Sequence, residues 1–258
     1  MAVITVANQK GGVGKTTTAV TLAHGLAREG YQILIVDLDP QGHIAFSLGL
    51  EKSPGLYRLI VEEAPLREVV VKARQNLDIL PGNKRTEAAK RFVTTMDFRE
   101  KVLINSLKEA NYDLIFMDTA PSLDVLHIAA LAASDWVIIP TKLDAMAVDG
   151  VKEILHSMAG VTRQGHYFQG YTILPTFFDR TTRETAFQLE QMVTAFRHRV
   201  WPPIPRDTRA REASAYGQTL WEYTPNSSSM CGYLSSDNRY VGGYADVLER
   251  VKELINHG

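Results

Sequence analysis

Residues 8–20 read NQKGGVGKTTTAV, and they join two sequence patterns of different period. The preceding residues, VITVA, form a short apolar run typical of a buried strand, and the residues after the loop favour a helix. Glycines let backbone N–H groups surround phosphate oxygens without clashes from Cβ atoms, and the N-terminus of a helix attracts negative charge. A glycine-rich loop between a strand and a helix therefore predicts a phosphate-binding loop.

Two lysines lie in this loop, although phosphate binding ordinarily needs one. We expect Lys15 to reach the β- and γ-phosphates of a nucleotide and the Thr16 hydroxyl to ligate Mg²⁺. The general pattern G-x-x-x-x-G-K-[ST] requires glycine at position 9, where this chain has Gln9. The next residue, Lys10, is the additional lysine. This departure from the general pattern indicates a specialised loop.

Composition limits the function classes that are possible. Of the 258 residues, 45% are hydrophobic, which is enough for one domain spanning 1–258. The net charge of −1 excludes a polycation that holds nucleic acid by bulk charge, so such binding would need a local patch. Cys231, the single cysteine, excludes an internal disulfide and a multi-cysteine metal site. Without a signal-peptide pattern or a run of ~18 apolar residues, we expect a cytoplasmic protein.

Short apolar runs alternate along the chain with longer helical patterns, which is typical of βαβ units. We therefore predict an α/β fold with a mostly parallel twisted sheet flanked by helices on both faces. The predicted strands are 3–7, 33–37, 77–80, 114–118, 136–140 and 171–174. The predicted helices are 16–28, 84–109, 147–162, 182–196 and 244–255. The segment 224–243 is rich in Ser, Asn and Gly, and we expect an irregular surface loop there.

Three aspartates follow predicted strands, where ligands sit in open α/β sheets. The second strand ends in ILIVDLDPQG, which contains Asp37 and Asp39, and a later strand ends at Asp118 in YDLIFMDTAPSLD. A buried strand that ends in a carboxylate directed at Mg²⁺ or its waters is a Walker B arrangement, which we assign to Asp118. Asp37 is predicted to be an outer-shell ligand of the Mg²⁺ waters. The alternative is that Asp37 and Asp39 cap the following turn.

Lys10-Gly11-Gly12-Val13-Gly14-Lys15-Thr16 matches every fixed position of K-G-G-x-G-K-[ST], and the chain thereby resembles the ParA/MinD family of deviant Walker A ATPases. The resemblance implies a P-loop fold with ATP and Mg²⁺ as ligands. It also implies that Lys10 reaches across a dimer interface to the ATP of the facing subunit. Asp39 matches the second aspartate of the family's D-x-D-P-Q, which lies in switch I and positions or activates the attacking water. The residues implied to bind phosphates are Lys10, Gly11, Gly12, Val13, Gly14, Lys15, Thr16 and Thr17, and those implied to be catalytic are Lys10, Lys15 and Asp39.

The resemblance continues in ILPTFFDRTTRET and IPRDTRAREASAYGQTLWEY, which are similar to family segments that border the adenine. The residues implied to lie near the base are Thr176, Pro205 and Arg206. Seven arginines lie in this part of the chain, at positions 180, 183, 197, 199, 206, 209 and 211. Family members of the partition type bind DNA without sequence preference through such arginines, so Arg180, Arg183 and Arg209 are predicted DNA contacts. The alternative is a solvated face balanced by nearby acids.

The sequence therefore predicts an ATPase that forms an ATP-dependent homodimer, binds DNA non-specifically on the nucleoid and positions a plasmid, chromosome or protein compartment. A ParB-like or cargo-adaptor protein would stimulate hydrolysis. Because the chain begins at the first strand, we expect no N-terminal helix-turn-helix domain. The alternative is a MinD-like membrane-associated positioning ATPase, but mixed charge on the C-terminal helix favours docking on the protein core. One cysteine excludes a NifH-type reductase, and a metabolic kinase or ligase remains open.

Overall fold

The computed structural model describes residues 1–235 and 238–257. Within these ranges, seven strands form a main sheet and two form a hairpin. The strands are β1 (Ala2–Val6), β2 (Ile33–Asp37), β3 (Val71–Arg74), β4 (Leu77–Leu80), β5 (Leu114–Asp118), β6 (Trp136–Lys142), β7 (Gly170–Thr176), β8 (Tyr233–Leu234) and β9 (Tyr240–Val241). The helices are α1 (Lys15–Arg28), α2 (His43–Ser47), α3 (Gly55–Val61), α4 (Leu66–Val69), α5 (Thr86–Thr94), α6 (Val102–Leu107), α7 (Val125–Ala132), α8 (Ala147–Arg163), α9 (Arg183–Phe196), α10 (Arg209–Ala215), α11 (Leu220–Tyr223), α12 (Ser228–Cys231) and α13 (Gly243–His257).

The main sheet has the strand order β3-β4-β2-β5-β1-β6-β7. All neighbouring strands are parallel except β3 and β4, which confirms the predicted mostly parallel α/β fold. The register pairs Asp118 with Val6 on one side and with Asp37 on the other. Parallel strands end at the same edge of the sheet, so the loop after β1 and the two aspartates share one edge.

Both faces of the sheet are buried. Along β2, Ile33 and Ile35 pack in a core with α1 and α13, whereas Leu34 and Val36 pack in a second core with α3, α5 and α7. Successive side chains of a strand point to opposite faces, so a strand covered on both sides is a continuous apolar run. This pattern explains why the parallel strands could be predicted from sequence.

One predicted helix needs correction, and some elements were not predicted. The predicted helix 84–109 is divided into α5, a 3-10 turn at Arg99–Lys101, and α6. The break lies at Phe98, which has a left-handed φ of 52° and cannot continue a right-handed helix. The edge strand β3 and the buried helix α7 were not predicted. For α7 the reason is that its sequence is apolar on all sides and shows no helical period.

The segment 224–243 is more ordered than the predicted irregular surface loop. It contains α12 and the hairpin of β8 and β9, and Met230 is fully buried. Gly232 and Gly242 have positive φ, and a Cβ on Gly232 would lie 2.3 Å from the Val241 carbonyl oxygen. Such close backbone approach requires glycine. The glycines that indicate a loop in the sequence therefore form tight turns here, and Ser227, Ser228 and Ser229 cap and begin α12. Part of the prediction falls on Ser236 and Asp237, outside the described residues.

The last helix, α13, packs on the protein core. Tyr244, Val247, Leu248 and Val251 are buried in the same core as α1, and the Tyr244 hydroxyl lies 3.0 Å from Thr18 Oγ1. The apolar face of this helix is thus covered by protein. Among the described residues, no helix combines the length and the apolar character needed to cross a membrane.

His127 in α7 is buried without a hydrogen-bond partner. Its exposed fraction is 2%, and neither ring nitrogen is hydrogen-bonded within the described structure. Burial lowers the pKa of His127 to about 4; the nearby Asp124 carboxylate opposes this shift and the Lys15 ammonium adds to it. The unfolded chain therefore takes up a proton between pH 6.5 and 4 that the folded protein excludes.

We predict that acid destabilises this fold partly through His127. The stability that the fold has while His127 is neutral in both states is complete above pH 6.5 and is lost as the pH falls towards 4. This loss amounts to about 3 kcal/mol of the free energy of unfolding. In His127→Leu the free energy of unfolding, measured by urea denaturation at several pH values, should fall less steeply over this range. His156→Leu replaces an exposed histidine on α8 and should keep the wild-type slope. An unchanged slope in His127→Leu would contradict the assignment.

Candidate functional site

The phosphate loop lies between β1 and α1, in a cleft of ≈ 1190 Å³. Gly12 and Gly14 have left-handed φ values of 71° and 92°, which favour glycine. The predicted phosphate residues that line the cleft are Gly11, Gly12, Gly14, Lys15, Thr16 and Thr17. Val13 is buried behind the loop and Lys10 stands beside it. The loop therefore has the backbone geometry expected of an anion cradle at the start of α1, and phosphate binding by these residues stays a prediction.

Lys15 occupies the interior of the loop. Its exposed fraction is 7%, and its Nζ donates a hydrogen bond to the Lys10 carbonyl oxygen at 3.0 Å. Burial lowers the pKa of Lys15, while the carboxylates of Asp118 and Asp39 oppose the shift. A phosphate group in the cleft would give this ammonium a charged partner in place of a carbonyl.

Thr16 and Asp118 meet on one side of the loop. The Thr16 hydroxyl donates to Asp118 Oδ2 at 2.7 Å, and Asp118 Oδ1 is buried without a hydrogen-bond partner in the described structure. Burial raises the pKa of Asp118 to about 7, with the Thr16 hydrogen bond and the Lys15 charge opposing the shift. A buried, unpartnered carboxylate oxygen beside a hydroxyl fits a divalent cation or a water bound to one. These two residues therefore fit the predicted Mg²⁺ site.

Asp37 lies behind the site and does not line the cleft. Its two oxygens accept hydrogen bonds from the backbone N–H groups of Asp39 at 3.0 Å and Ile44 at 3.2 Å. Burial raises the pKa of Asp37 well above its usual range, and the Asp118 charge adds to the shift. These bonds are those of a turn cap, which was the alternative interpretation. Contact between Asp37 and the Mg²⁺ waters stays a prediction.

Asp39 is carried into the cleft by the turn that Asp37 caps. Its Oδ1 accepts a hydrogen bond from the Gln41 N–H at 2.8 Å, and its exposed fraction is 9%. Asp39 and Asp118 both act electrostatically on the Lys15 ammonium. The structure thus brings the side chains of Lys15, Asp39 and Asp118 close together; Lys15 and Asp39 line the cleft, whereas the buried Asp118 does not.

Lys10 forms an ion pair within its own chain. Its Nζ lies 2.5 Å from Asp144 Oδ2, and the side chains are 40% and 24% exposed. Asn8 fixes the adjoining backbone, because its Oδ1 accepts from the Lys10 N–H at 2.9 Å and its Nδ2 donates to the Pro140 carbonyl at 2.8 Å. Our sequence interpretation missed both Asn8 and Asp144. Asn8 directly follows the predicted strand 3–7, which was an available signal, whereas Asp144 lies four residues beyond the predicted strand 136–140 and had no such signal.

The residues predicted to border the adenine are only partly brought to the cleft. Thr176 is buried and its hydroxyl donates to the Val13 carbonyl at 2.9 Å, so it supports the phosphate loop. Arg206 lines the cleft, whereas Pro205 does not. Phe177, which was not predicted, also lines the cleft and has a left-handed φ of 56°. Phe177 and Arg206 are therefore among the side chains of this region that line the cleft.

The three arginines predicted to contact DNA differ in their surroundings. Arg180 donates to the Leu234 carbonyl at 3.2 Å and lies over the Tyr233 ring at 4.9 Å, so it is packed against the hairpin. Arg209 is exposed and its Nε lies 3.8 Å from Asp207 Oδ1. Arg183 is exposed at the start of α9. All three arginines are exposed, and Arg180 differs from the other two in its contacts with the hairpin.

Comparison with known proteins gives a matching family model, similar proteins and a similar solved structure. A family model described as an AAA domain matches residues 1–167. The chromosome-partitioning ATPase Soj of Thermus thermophilus is 37% identical over 234 residues, covering 89% of this chain and 91% of that protein. The sporulation initiation inhibitor protein Soj of Bacillus subtilis is 35% identical over 243 residues, covering 90% and 95%. A solved structure of cobyrinic acid a,c-diamide synthase from Mycobacterium smegmatis, with bound ATP analog and magnesium, has a TM-score of 0.74 at 31% identity and covers 84% and 91%.

These relatives confirm the resemblance drawn from the phosphate loop. The near-complete coverage of the two Soj proteins extends it well beyond the loop and its neighbouring strands. ATP and Mg²⁺ are the ligands that fit the cleft, in agreement with the solved neighbour. The chain belongs to the ParA/MinD family of P-loop ATPases and is a ParA-like partition or positioning ATPase.

Proposed function

We propose that this protein is a two-subunit switch, in which ATP closes a homodimer, the dimer binds DNA without sequence preference, and hydrolysis releases it. The observation that carries the proposal is the position of Lys10. Lys15 already fills the loop interior, while Lys10 stands half-exposed beside the loop and is held by Asp144, which lines the cleft. An ammonium in this position is available to a second nucleotide that approaches from outside.

The charges of the two possible partners support a change of partner for the Lys10 ammonium, from the Asp144 carboxylate to the phosphates of ATP. In the single chain the ammonium is paired with one carboxylate, Asp144. The terminal phosphates of ATP carry more negative charge and more acceptor oxygens than one carboxylate does. ADP lacks the γ-phosphate, so it offers the Lys10 ammonium less negative charge and fewer acceptor oxygens. A dimer held in this way would survive only as long as the triphosphate.

The hydrolytic residues would act from one end of the cleft. Lys15 would hold the β- and γ-phosphates, and Asp39 would orient or activate the attacking water. Mg²⁺ held by Thr16 and, through water, by Asp118 would neutralise charge on the phosphates. Asp37 would keep the Asp39 turn in place through its two backbone hydrogen bonds.

DNA binding by a chain with a net charge of −1 requires a concentrated patch. Pairing two chains would place the arginines of both on one surface, and arginine is well suited to phosphate oxygens. Such a dimer would reside on the nucleoid. A partner protein of the ParB or cargo-adaptor kind would stimulate hydrolysis and thereby move the cargo.

Two other functions are less well supported. A MinD-like membrane anchor would need an available apolar face on α13, but that face is buried against α1. A small-molecule synthase is the second candidate, because the solved neighbour from Mycobacterium smegmatis carries that name. The greater sequence coverage of the two Soj proteins favours the switch. ATP turnover that requires a small-molecule acceptor would favour the synthase instead.

Substitution of Lys10 and of Asp39 should separate dimerisation from hydrolysis. Lys10→Ala should bind ATP as a single chain and lose ATP-dependent dimers and DNA binding, because the contact across the interface is gone. Asp39→Ala should dimerise and bind DNA with ATP, but hydrolyse it about 100-fold more slowly. Light scattering with a non-hydrolysable analogue, DNA binding and phosphate release measure these effects. Lys108→Ala, an exposed lysine at the end of α6, is the control and should behave as wild type. DNA binding that is equal with ADP and ATP would count against the switch.

The ion pair between Lys10 and Asp144 should hold back dimerisation. In Asp144→Asn the ammonium is released from its own chain, so the dimer should form at up to about fivefold lower protein concentration with the ATP analogue, as expected for a half-exposed ion pair. Sedimentation at several protein concentrations measures this shift. Asp149→Asn, an exposed acid on α8, should leave it unchanged. A weaker dimer in Asp144→Asn would show that Asp144 serves the dimer itself.

The exposed arginines should determine both the DNA affinity and its dependence on salt concentration. Arg183→Ala and Arg209→Ala should each weaken DNA binding by the ATP dimer about tenfold. Each should also reduce the slope of log affinity against log salt concentration by about 2, because one phosphate contact per subunit is lost. Fluorescence anisotropy with unrelated DNA sequences measures both effects. Arg67→Ala, an exposed arginine on α4, should change neither. Unchanged salt dependence in both variants would place the DNA elsewhere.

A further inference from the structure

Arg74 ends the edge strand β3, and its guanidinium connects three other segments. Nη1 donates to the carbonyl oxygens of Leu48 at 3.2 Å and Ala73 at 2.8 Å, and Nη2 donates to Gly217 at 2.9 Å. Nε and Nη2 also donate to the Glu222 carboxylate, at 2.6 Å and 3.1 Å. Each of the five N–H donors of the guanidinium thus has an acceptor. A register shift between Lys72 and Arg74 places this side chain at the end of the strand.

Two glycines make a backbone contact beside this arginine. A Cβ on Gly217 would lie 2.6 Å from the Gly49 Cα, and a Cβ on Gly49 would lie 3.3 Å from the Gly217 Cα. Both residues have positive φ, 69° for Gly49 and 65° for Gly217. Neither position accepts a larger residue without strain. We call Arg74, Glu222, Gly49 and Gly217 the clasp.

The clasp joins two segments that both reach the nucleotide cleft. Gly49 follows α2, and α2 follows the turn that carries Asp39. Gly217 follows α10, which carries Arg209, and the residues just before and within α10 line the cleft at Arg206 and Arg211. The clasp therefore ties the far ends of two short helices whose near ends face the same ligand.

The far side of the clasp is anchored on α1. Glu222 also accepts the Thr219 N–H at 2.8 Å, and the Thr219 hydroxyl lies 2.7 Å from His24 Nδ1. Trp221 Nε1 donates to the Thr21 carbonyl at 2.8 Å. α1 begins at Lys15 in the phosphate loop. A shift of α2 relative to this frame must therefore be followed by Gly217, or it breaks the Arg74–Leu48 hydrogen bond and the backbone contact between Gly49 and Gly217.

We propose that Arg74 is a positioning residue that couples the Asp39 turn to α10, so that the nucleotide in the cleft sets the orientation of the α10 arginines. The proposal rests on the proposed function only where α10 is taken to contact DNA. Lysine cannot replace arginine here, because a single ammonium does not reproduce a planar fork that contacts three backbone carbonyls and a carboxylate together. The clasp would make DNA binding respond to ATP rather than supply DNA contacts itself.

Hydrogen exchange tests the coupling without DNA. In the wild type, a non-hydrolysable ATP analogue with Mg²⁺ should slow exchange both in residues 39–50 and in residues 209–218. In Arg74→Lys and Arg74→Ala the analogue should bind within about threefold of wild-type affinity and still protect 39–50, but protection of 209–218 should be lost. Lys72→Ala, an exposed lysine on the same strand, should keep both responses. Glu222→Gln keeps the shape of the side chain and should lose part of the 209–218 response.

DNA binding gives the second measurement. The ratio of DNA affinities with ATP analogue and with ADP should fall at least tenfold in Arg74→Lys, while its melting temperature without ligand stays near that of Glu222→Gln. Retention of both exchange responses in the Arg74 variants, or no response of 209–218 in the wild type, would overturn the coupling. Loss of analogue binding in every clasp variant would also overturn it, since that result marks a purely structural role. If wild-type DNA binding is equal with both nucleotides, the proposed function fails, and the exchange data still decide the role of Arg74.

Discussion

The hydrogen bond between Thr16 and Asp118 joins the two halves of the nucleotide site, and the remaining geometry follows from it. Thr16 is the second residue of α1, and Asp118 is the last residue of β5. The two meet because β1 and β5 are parallel neighbours whose register pairs Val6 with Asp118. Burial raises the pKa of that carboxylate to about 7, so the site holds a group whose charge depends on what binds there. A cation beside Asp118 would favour the charged form.

The same edge of the sheet accounts for the rest of the site. Asp37 pairs with Asp118 in the register, and its carboxylate shapes the turn that presents Asp39. On the other side of β1, the end of β6 leads to Asp144, which holds Lys10. The carboxylates of Asp37, Asp39, Asp118 and Asp144 thus come from the carboxyl ends of neighbouring strands, as is usual for ligand sites in open α/β sheets.

Sequence reasoning succeeded where the signal is local and failed where it depends on pairing between distant segments. The glycines of the loop, Lys15, Thr16 and the strand-terminal Asp118 could be predicted because each lies next to its own strand or turn signal. Asp144 could not, because its importance comes from the placement of β6 beside β1, which brings it to Lys10 from 134 positions away. The break at Phe98 was missed because no glycine or proline marks it. Thr176 also supports the loop through its hydroxyl, a contact that only the fold reveals, and its contact with the base stays a prediction.

The central claim is that two copies of this chain share ATP through Lys10. The most direct measurement is an experimental structure of the protein with a non-hydrolysable ATP analogue and Mg²⁺. We expect a dimer in which Lys10 Nζ has left Asp144 and lies about 3 Å from a phosphate oxygen of the nucleotide held by the facing subunit. A nucleotide-bound chain that remains single, or a dimer in which Lys10 is still paired with Asp144 of its own chain, would contradict it.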